Sequence, residues 1–245
     1  MQRYKLTIEY DGAPFCGWQS QPNEQAVQDA LSRAILSFCG ESPAIFAAGR
    51  TDKGVHARGQ IAHIDLEQVR PAFKVRDGLN FHLRPDPISI LSVEEVDDTF
   101  HARFSATGRS YLYQIVSRPA PLALDGARHW WVKKDLDIDA MNMTAQSLLG
   151  HHDFTTFRSV QCQSPSPMKT LDVLTVWQEG AVVYVRAEAR SFLHNQVRSL
   201  VGALKVVGQG RWDHKDVVAS LQACDRAACP PVAPAHGLFL MRVDY

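Results

Sequence analysis

Apolar and polar positions alternate from Arg3 to Tyr10, the period of a half-buried strand. Asp11-Gly12-Ala13-Pro14 interrupts the alternation as a turn. Asn23 has the chemistry of a helix N-cap. From Gln25 to Phe38 apolar residues recur at Ala26, Val27, Ala30, Leu31, Ala34, Ile35 and Phe38, which is helical spacing, with Gly40 as the stop. Two short apolar runs follow, from Pro43 to Ala48 and from Ile61 to Ile64. Each reads as a strand, with a polar loop between them. Pro71 to Leu83 reads as a second helix closed by Pro85 and Pro87, and Ile88 to Val93 as another strand. The order is β-α-β-β-α-β, the ferredoxin-like arrangement.

Asp97 to Gly108 links this half to a second one. There the pattern predicts a strand over Arg109 to Val116 and a helix over Ile138 to Leu149. Strands over Leu171 to Gln178 and Ala181 to Ala189 are joined by a hairpin at Glu179-Gly180. Phe192 to Val207 is apolar at Phe192, Leu193, Val197, Leu200, Val201, Leu204 and Val207, a strong helix ended by Gly208 and Gly210. A short helix near His214 to Cys224 and a strand over Gly237 to Val243 finish the chain. Apart from that extra helix the second half repeats the first. The expected fold is α+β: two ferredoxin-like domains, residues 1–105 and 106–245, whose antiparallel sheets join and leave an active-site cleft between them. Two loops are longer than packing needs. One runs from Ser117 to Gly126, the other from His151 to Arg158 and on through Ser164-Pro165-Ser166-Pro167.

A chain of 245 residues holds one large domain or two of ordinary size. No apolar stretch is long enough to span a bilayer. The N-terminal residues lack the apolar core of a signal peptide, which gives a cytoplasmic expectation. The five cysteines, Cys16, Cys39, Cys162, Cys224 and Cys229, are odd in number and irregularly spaced, against a disulfide framework. With His214 and His236, Cys224 and Cys229 fit no common zinc spacing. A formal net charge of zero neither favours nor excludes nucleic acid, because clustering on one face is what matters.

The densest polar punctuation lies between Ala48 and Gln60. Gly49, Gly54 and Gly59 surround one carboxylate, Asp52, together with Arg50, Lys53, His56 and Arg58. The glycines allow backbone angles that other residues resist and let a ligand approach closely. The flanking cations are expected to keep Asp52 ionised. Asp-Lys-Gly is also a common turn sequence, so the loop alone does not establish a site.

The wider wording does more. Gly49-Arg50-Thr51-Asp52-Lys53-Gly54-Val55-His56-Ala57 resembles the signature of the tRNA pseudouridine synthase A family. The resemblance continues through Glu9-Tyr10-Asp11-Gly12, Gly17-Trp18-Gln19 and Gln21. It extends to Phe100-His101-Ala102-Arg103-Phe104-Ser105-Ala106 with Arg109-Ser110-Tyr111-Leu112-Tyr113, to Asp153-Phe154-Thr155 and Val160-Gln161-Cys162, and to the run from Phe192 to Arg198 with Val201-Gly202. Lys53 stands where that family often has alanine, and Phe104 where it also has tyrosine.

The resemblance implies an isomerase acting on uridines 38, 39 and 40 of the tRNA anticodon stem-loop. It implies Asp52 as the catalytic carboxylate, Tyr111 as the aromatic against the target base and a proton-transfer group, and Arg198 as the ion-pair partner of Asp52. Asp52 attacks the ribose, attacks the ring or takes a 2′ proton; the sequence leaves the three open. The target uridine has to leave its stem to be reached. Arg50, Lys53, Arg58, Arg103, Arg109 and Arg158 are the expected phosphate contacts, and Gln60 a hydrogen-bonding group near the loop. The family works as a homodimer without metal or organic cofactor. Read without the resemblance, Tyr111 and Tyr113 share a strand face and better suit packing in a core, and Arg198 equally suits a helix edge. Two other readings stand beside the isomerase. A non-catalytic RNA-binding protein of two ferredoxin-like modules would carry aromatic RNP signatures, and none is convincing. A carboxylate-dependent nucleoside or glycoside hydrolase would want a second carboxylate, and no paired acidic motif stands out.

Overall fold

The computed structural model describes residues 1–245. Tyr4, Leu6, Ile8 and Tyr10 are buried, so the opening alternation becomes β1 (Gln2–Tyr10) with one face on the core. Helix α1 (Val27–Cys39) buries Val27, Ala30, Leu31, Ala34 and Ile35 and ends at Gly40, left-handed at φ 77°. Its N-cap position is Ala26, not Asn23. The first amides of the helix need acceptors, and here the preceding loop supplies them. Val27 N–H donates to Gly17 O at 3.1 Å and Gln28 N–H to Trp18 O at 3.0 Å. Asp29 also accepts from Ala26 N–H at 3.1 Å.

The strand expected from Pro43 shrinks to β2 (Phe46–Ala47). β3 (His56–Leu66) is longer than expected, since it begins inside the polar motif, and nearly all of it is buried. α2 (Ala72–His82) and β4 (Ile88–Val96) follow. β1 lies between β3 and β4, antiparallel to both, and β2 pairs antiparallel with β3 at Phe46–His63 and Ala47–Ala62. α1 and α2 meet where Gly78 leaves room for the Phe38 ring; a Cβ at Gly78 would stand 2.2 Å from it.

In the second half β5 (Gly108–Ser117) carries a short parallel partner, β6 (Trp130–Val132), which the sequence pattern does not show. α3 spans Ile138–Gln146, capped by the Asp137 carboxylate on Ala140 N–H. β7 (Gly150–Asp153) and β8 (Met168–Leu171) form a two-stranded sheet of their own. β9 (Val173–Glu179) and β10 (Val182–Ala189) make the expected hairpin, with Gly180 at φ 59°. The strand expected from Leu171 breaks at Asp172, whose N–H turns to Glu188 O at 2.9 Å. β5, β10 and β9 are antiparallel neighbours in that order.

Helix α4 covers Gln196–Gly208 and is almost wholly buried. It starts four residues later than its apolar pattern suggests. Asn195 is left-handed at φ 65°, and the Gln196 side chain accepts from Leu193 N–H at 2.8 Å, so the preceding residues form a turn. α5 (His214–Gln222) begins on a capping box of Asp213 and Asp216.

The last strand, β11 (Leu238–Asp244), runs parallel to β3 at Phe239–His56 and Leu240–Ala57. The sheets are therefore mixed, not antiparallel throughout. The chain resolves into two compact units, one of Met1–Thr107 with Phe239–Tyr245, the other of Gly108–Leu238. The C-terminal residues thus pack with the first unit, whereas the sequence assigns them to the second half. The cause is the free edge of β3, which β2 covers at one end and β11 at the other. No helix is long and apolar enough to cross a membrane.

Candidate active site

Asp52 sits in the connection from β2 to β3, half-buried at the start of a tight turn closed by Val55 N–H on Asp52 O at 3.1 Å. Gly54 makes that turn possible at φ 79°. The turn is held from outside by the aromatic loop that precedes α1. The backbones of Gly17 and Asp52 pair as a short antiparallel bridge, and Trp18 N–H donates to Thr51 O at 3.0 Å. Below it, the Thr51 hydroxyl bonds the buried Tyr10 hydroxyl at 2.7 Å. Tyr10 and Trp18 are themselves buried, with ring centroids 6.1 Å apart. The carboxylate thus stands on a rigid base made by β1, the Gly17–Trp18 loop and the N-terminus of α1.

The rest of the motif serves that base. His56 is buried, stacks on Phe239 at 4.6 Å and takes the Gly12 N–H on Nδ1 at 3.0 Å. The Asp11 carboxylate lies 3.1 Å from the same nitrogen. Gln60, expected near the substrate, is fully buried in β3 and donates to Gly49 O at 2.8 Å, closing the root of the loop. Its amide is therefore committed to the protein. Arg50, Lys53, Arg58 and Arg103 are exposed, as phosphate contacts require. Lys53 pairs with Glu24 at 3.3 Å, and the Arg58 guanidinium lies 6.0 Å over the Phe239 ring.

In the second unit Tyr111 and Tyr113 share a face of β5 but differ in burial. Tyr113 is the core residue: it is fully buried, donates to Pro234 O at 2.7 Å, and burial pushes its phenol well above the usual range. Tyr111 is half-exposed, with Phe192 edge-on to its ring at 5.3 Å. Arg198 leaves α4 half-buried. Its Nε donates to Ala233 O and its Nη1 to Asn195 Oδ1, both at 2.9 Å, which fixes the guanidinium plane. Arg109 donates to Arg190 O. Arg158 follows a short 3-10 turn, half-buried, and the next residue ties it to the α4 entry through Ser159 N–H on His194 O at 2.8 Å.

Asp52, Arg50, Lys53, Arg58, Gln60 and Arg103 belong to the first unit, and Arg109, Tyr111, Arg158 and Arg198 to the second. Gly17, Trp18, Tyr10 and Phe192 were not singled out from the sequence as supports for Asp52 and Tyr111. Their one signal was membership of the same motifs. No group of three His, Cys, Asp or Glu side chains is placed to hold a metal, and all five cysteines are free thiols. A half-buried carboxylate on a pinned turn is suited to nucleophilic or general-base work.

A sequence model of the tRNA pseudouridine synthases matches residues 6–105 and 144–245. A tRNA pseudouridine synthase A of Parvibaculum lavamentivorans is 56% identical over 245 residues, the whole of both chains. One of Brucella ovis is 58% identical over 247 aligned positions, covering all of this chain and 98% of its own length. The same identity and coverage hold for one of Brucella abortus.

Proposed function

Because the chain belongs to the tRNA pseudouridine synthase family, an isomerase family, we propose that it converts uridines 38, 39 and 40 of the anticodon stem-loop to pseudouridine, with Asp52 as the essential carboxylate. The observation that carries the choice of Asp52 is its position on a turn pinned from outside by Gly17 and Trp18. In the reaction the N1–C1′ bond breaks, the uracil turns over, and C5 bonds to C1′. The C5 hydrogen leaves as a proton and N1 gains one, so atoms balance and no electrons enter or leave. Such chemistry calls for no redox cofactor.

Tyr111 is the residue proposed to stack on the uracil and take part in proton transfer at C5, which its half-exposed ring beside Phe192 supports. Arg198 is proposed as the ion-pair partner of Asp52, supported by the way Asn195 and Ala233 orient its guanidinium. Arg50, Lys53, Arg58, Arg103, Arg109 and Arg158 are proposed backbone contacts, reading shape more than bases. The same reading includes two ferredoxin-like domains whose sheets join around a cleft, and a homodimer acting on cytoplasmic tRNA.

The test is tritium release from tRNA labelled at uridine C5, wild type beside Asp52→Asn. Release by the wild type alone is the expected outcome. Binding of tRNA without release by the wild type would favour a non-catalytic RNA-binding protein, and release by both would move the catalytic carboxylate elsewhere.

A further inference from the structure

Phe104 is 73% exposed, the most open aromatic ring in the chain. A single exposed phenylalanine needs no explanation. This one ends a connected set of rings. Phe46 stacks on the buried His63 at 4.9 Å and 15°. His101 meets His63 edge-on at 4.8 Å and Phe104 at 4.4 Å. Phe100 reaches His63 at 6.1 Å and Tyr245 at 4.8 Å. The Arg103 guanidinium lies 5.8 Å from the Phe104 ring.

The backbone under Phe104 is pinned. Arg103 N–H and Phe104 N–H both donate to His101 Nδ1, at 3.1 and 3.3 Å. His101 N–H donates to the Ser105 hydroxyl at 3.0 Å, and Ser105 N–H to His101 O at 2.9 Å. Ala102 N–H donates to His63 Nδ1 at 3.1 Å, and the Tyr245 hydroxyl to Ala102 O at 2.8 Å. Phe104 is therefore held in water by a rigid turn, and a partner meeting it loses little protein entropy on binding.

We infer that Phe104, backed by His101 and flanked by Arg103, is a stacking platform for an unpaired base of the substrate tRNA, separate from the target uridine. This rests on the tRNA-isomerase reading. The exposed members are rings and a guanidinium, without an aliphatic side chain among them. An aromatic face beside a cation suits a base and its phosphate, because every base offers a π face and the guanidinium answers the backbone charge. A second copy of the chain is the competing occupant, and the test separates the two.

The experiment measures tRNA affinity across a salt series for wild type, Phe104→Ala, Phe104→Trp and Arg103→Gln, with thermal unfolding and sedimentation of each. An exposed ring contributes little to the fold, so Phe104→Ala is expected to unfold at the wild-type temperature. It is expected to bind tRNA about tenfold or more weakly, the scale of one lost base–aromatic stack, with an unchanged salt slope. Phe104→Trp restores affinity. Arg103→Gln flattens the salt slope, because fewer counterions are released. Wild-type affinity in Phe104→Ala would overturn the platform. A change in sedimenting species would overturn it as well, in favour of a protein interface. Wild type that binds tRNA but releases no C5 tritium would defeat the isomerase reading instead, leaving the affinity comparison to decide the platform by itself.

Discussion

One hydrogen at Gly17 matters to a carboxylate thirty-five residues away in sequence. A Cβ there would stand 2.7 Å from Thr51 O, and the residue sits at φ 120°, which L side chains resist. Gly17→Ala is expected to move the Asp52 turn: C5 tritium release falls at least about tenfold, and stability falls by about 1–3 kcal/mol, the usual scale of such backbone strain. Tritium release at the wild-type rate would show that the turn does not depend on this contact. Tyr111→Phe tests a different residue in a different way. It keeps the ring that stacks and removes the hydroxyl, so turnover is expected to slow more than tRNA affinity. An affinity loss with an unchanged single-turnover rate would contradict the proton-transfer role. Asp52 was legible in the sequence because a nine-residue motif surrounds it. Gln60 is a hydrogen-bonding group near the loop, as its place in the motif suggests, but its full burial depends on β3 being covered on both faces, which no local pattern announces.

At the scale of elements, β3 and the turn after β4 are joined through His63. Burial, and then the charges of Arg3 and His101, push its pKa down from 6.5 to about 4. The neutral ring is the one that fits, since Nδ1 accepts the Ala102 N–H. Between pH 6.5 and about 4 the unfolded chain binds the proton that the folded one refuses, so stability falls as pH falls through that window. The expectation is a thermal midpoint that drops from pH 7 to pH 5, and a smaller drop in His63→Gln, which keeps an acceptor for Ala102 but does not titrate. Equal drops in both proteins would assign the effect to other groups. Asp65 does not compete in this range. Its hydrogen bond to Arg3, 2.7 Å on each oxygen, holds its carboxyl below the usual range, so its contribution is lost only at lower pH. Hydrophobic periodicity gave the helices and most of the long strands in place, but of β3 only the stretch around Ile61 to Ile64. It missed β6, β7 and β8, which are three or four residues long and too short to show a period. It also began α4 early, since Phe192 and Leu193 are apolar for the sake of Tyr111 and the core and not for the helix.

At the scale of the whole chain, the least legible feature is where β11 goes. An apolar run marks Gly237 to Val243 as a strand, but a strand's sequence does not name its neighbour. The neighbour is chosen by close approach. Gly59 in β3 admits Met241 O, which would lie 2.5 Å from a Cβ at that position. Phe239 stacks on His56, and Thr107 N–H donates to Asp244 O at 2.8 Å. β11 thus covers the end of β3 that β2 leaves open, directly after the Asp52 turn. An uncovered strand edge invites aggregation, and the buried His56 would lose its stacking partner. A fragment of residues 1–107 is therefore expected to aggregate or melt without cooperativity. The same fragment, joined through a flexible linker of about 12 residues to residues 238–245, is expected to unfold as one cooperative unit, since seven strand residues span roughly 20 Å and such a linker reaches that far. Thermal unfolding followed by circular dichroism distinguishes them. If the bare fragment melts as sharply as the joined one, β11 is an accessory of the first unit, and the Asp52 turn stands without it.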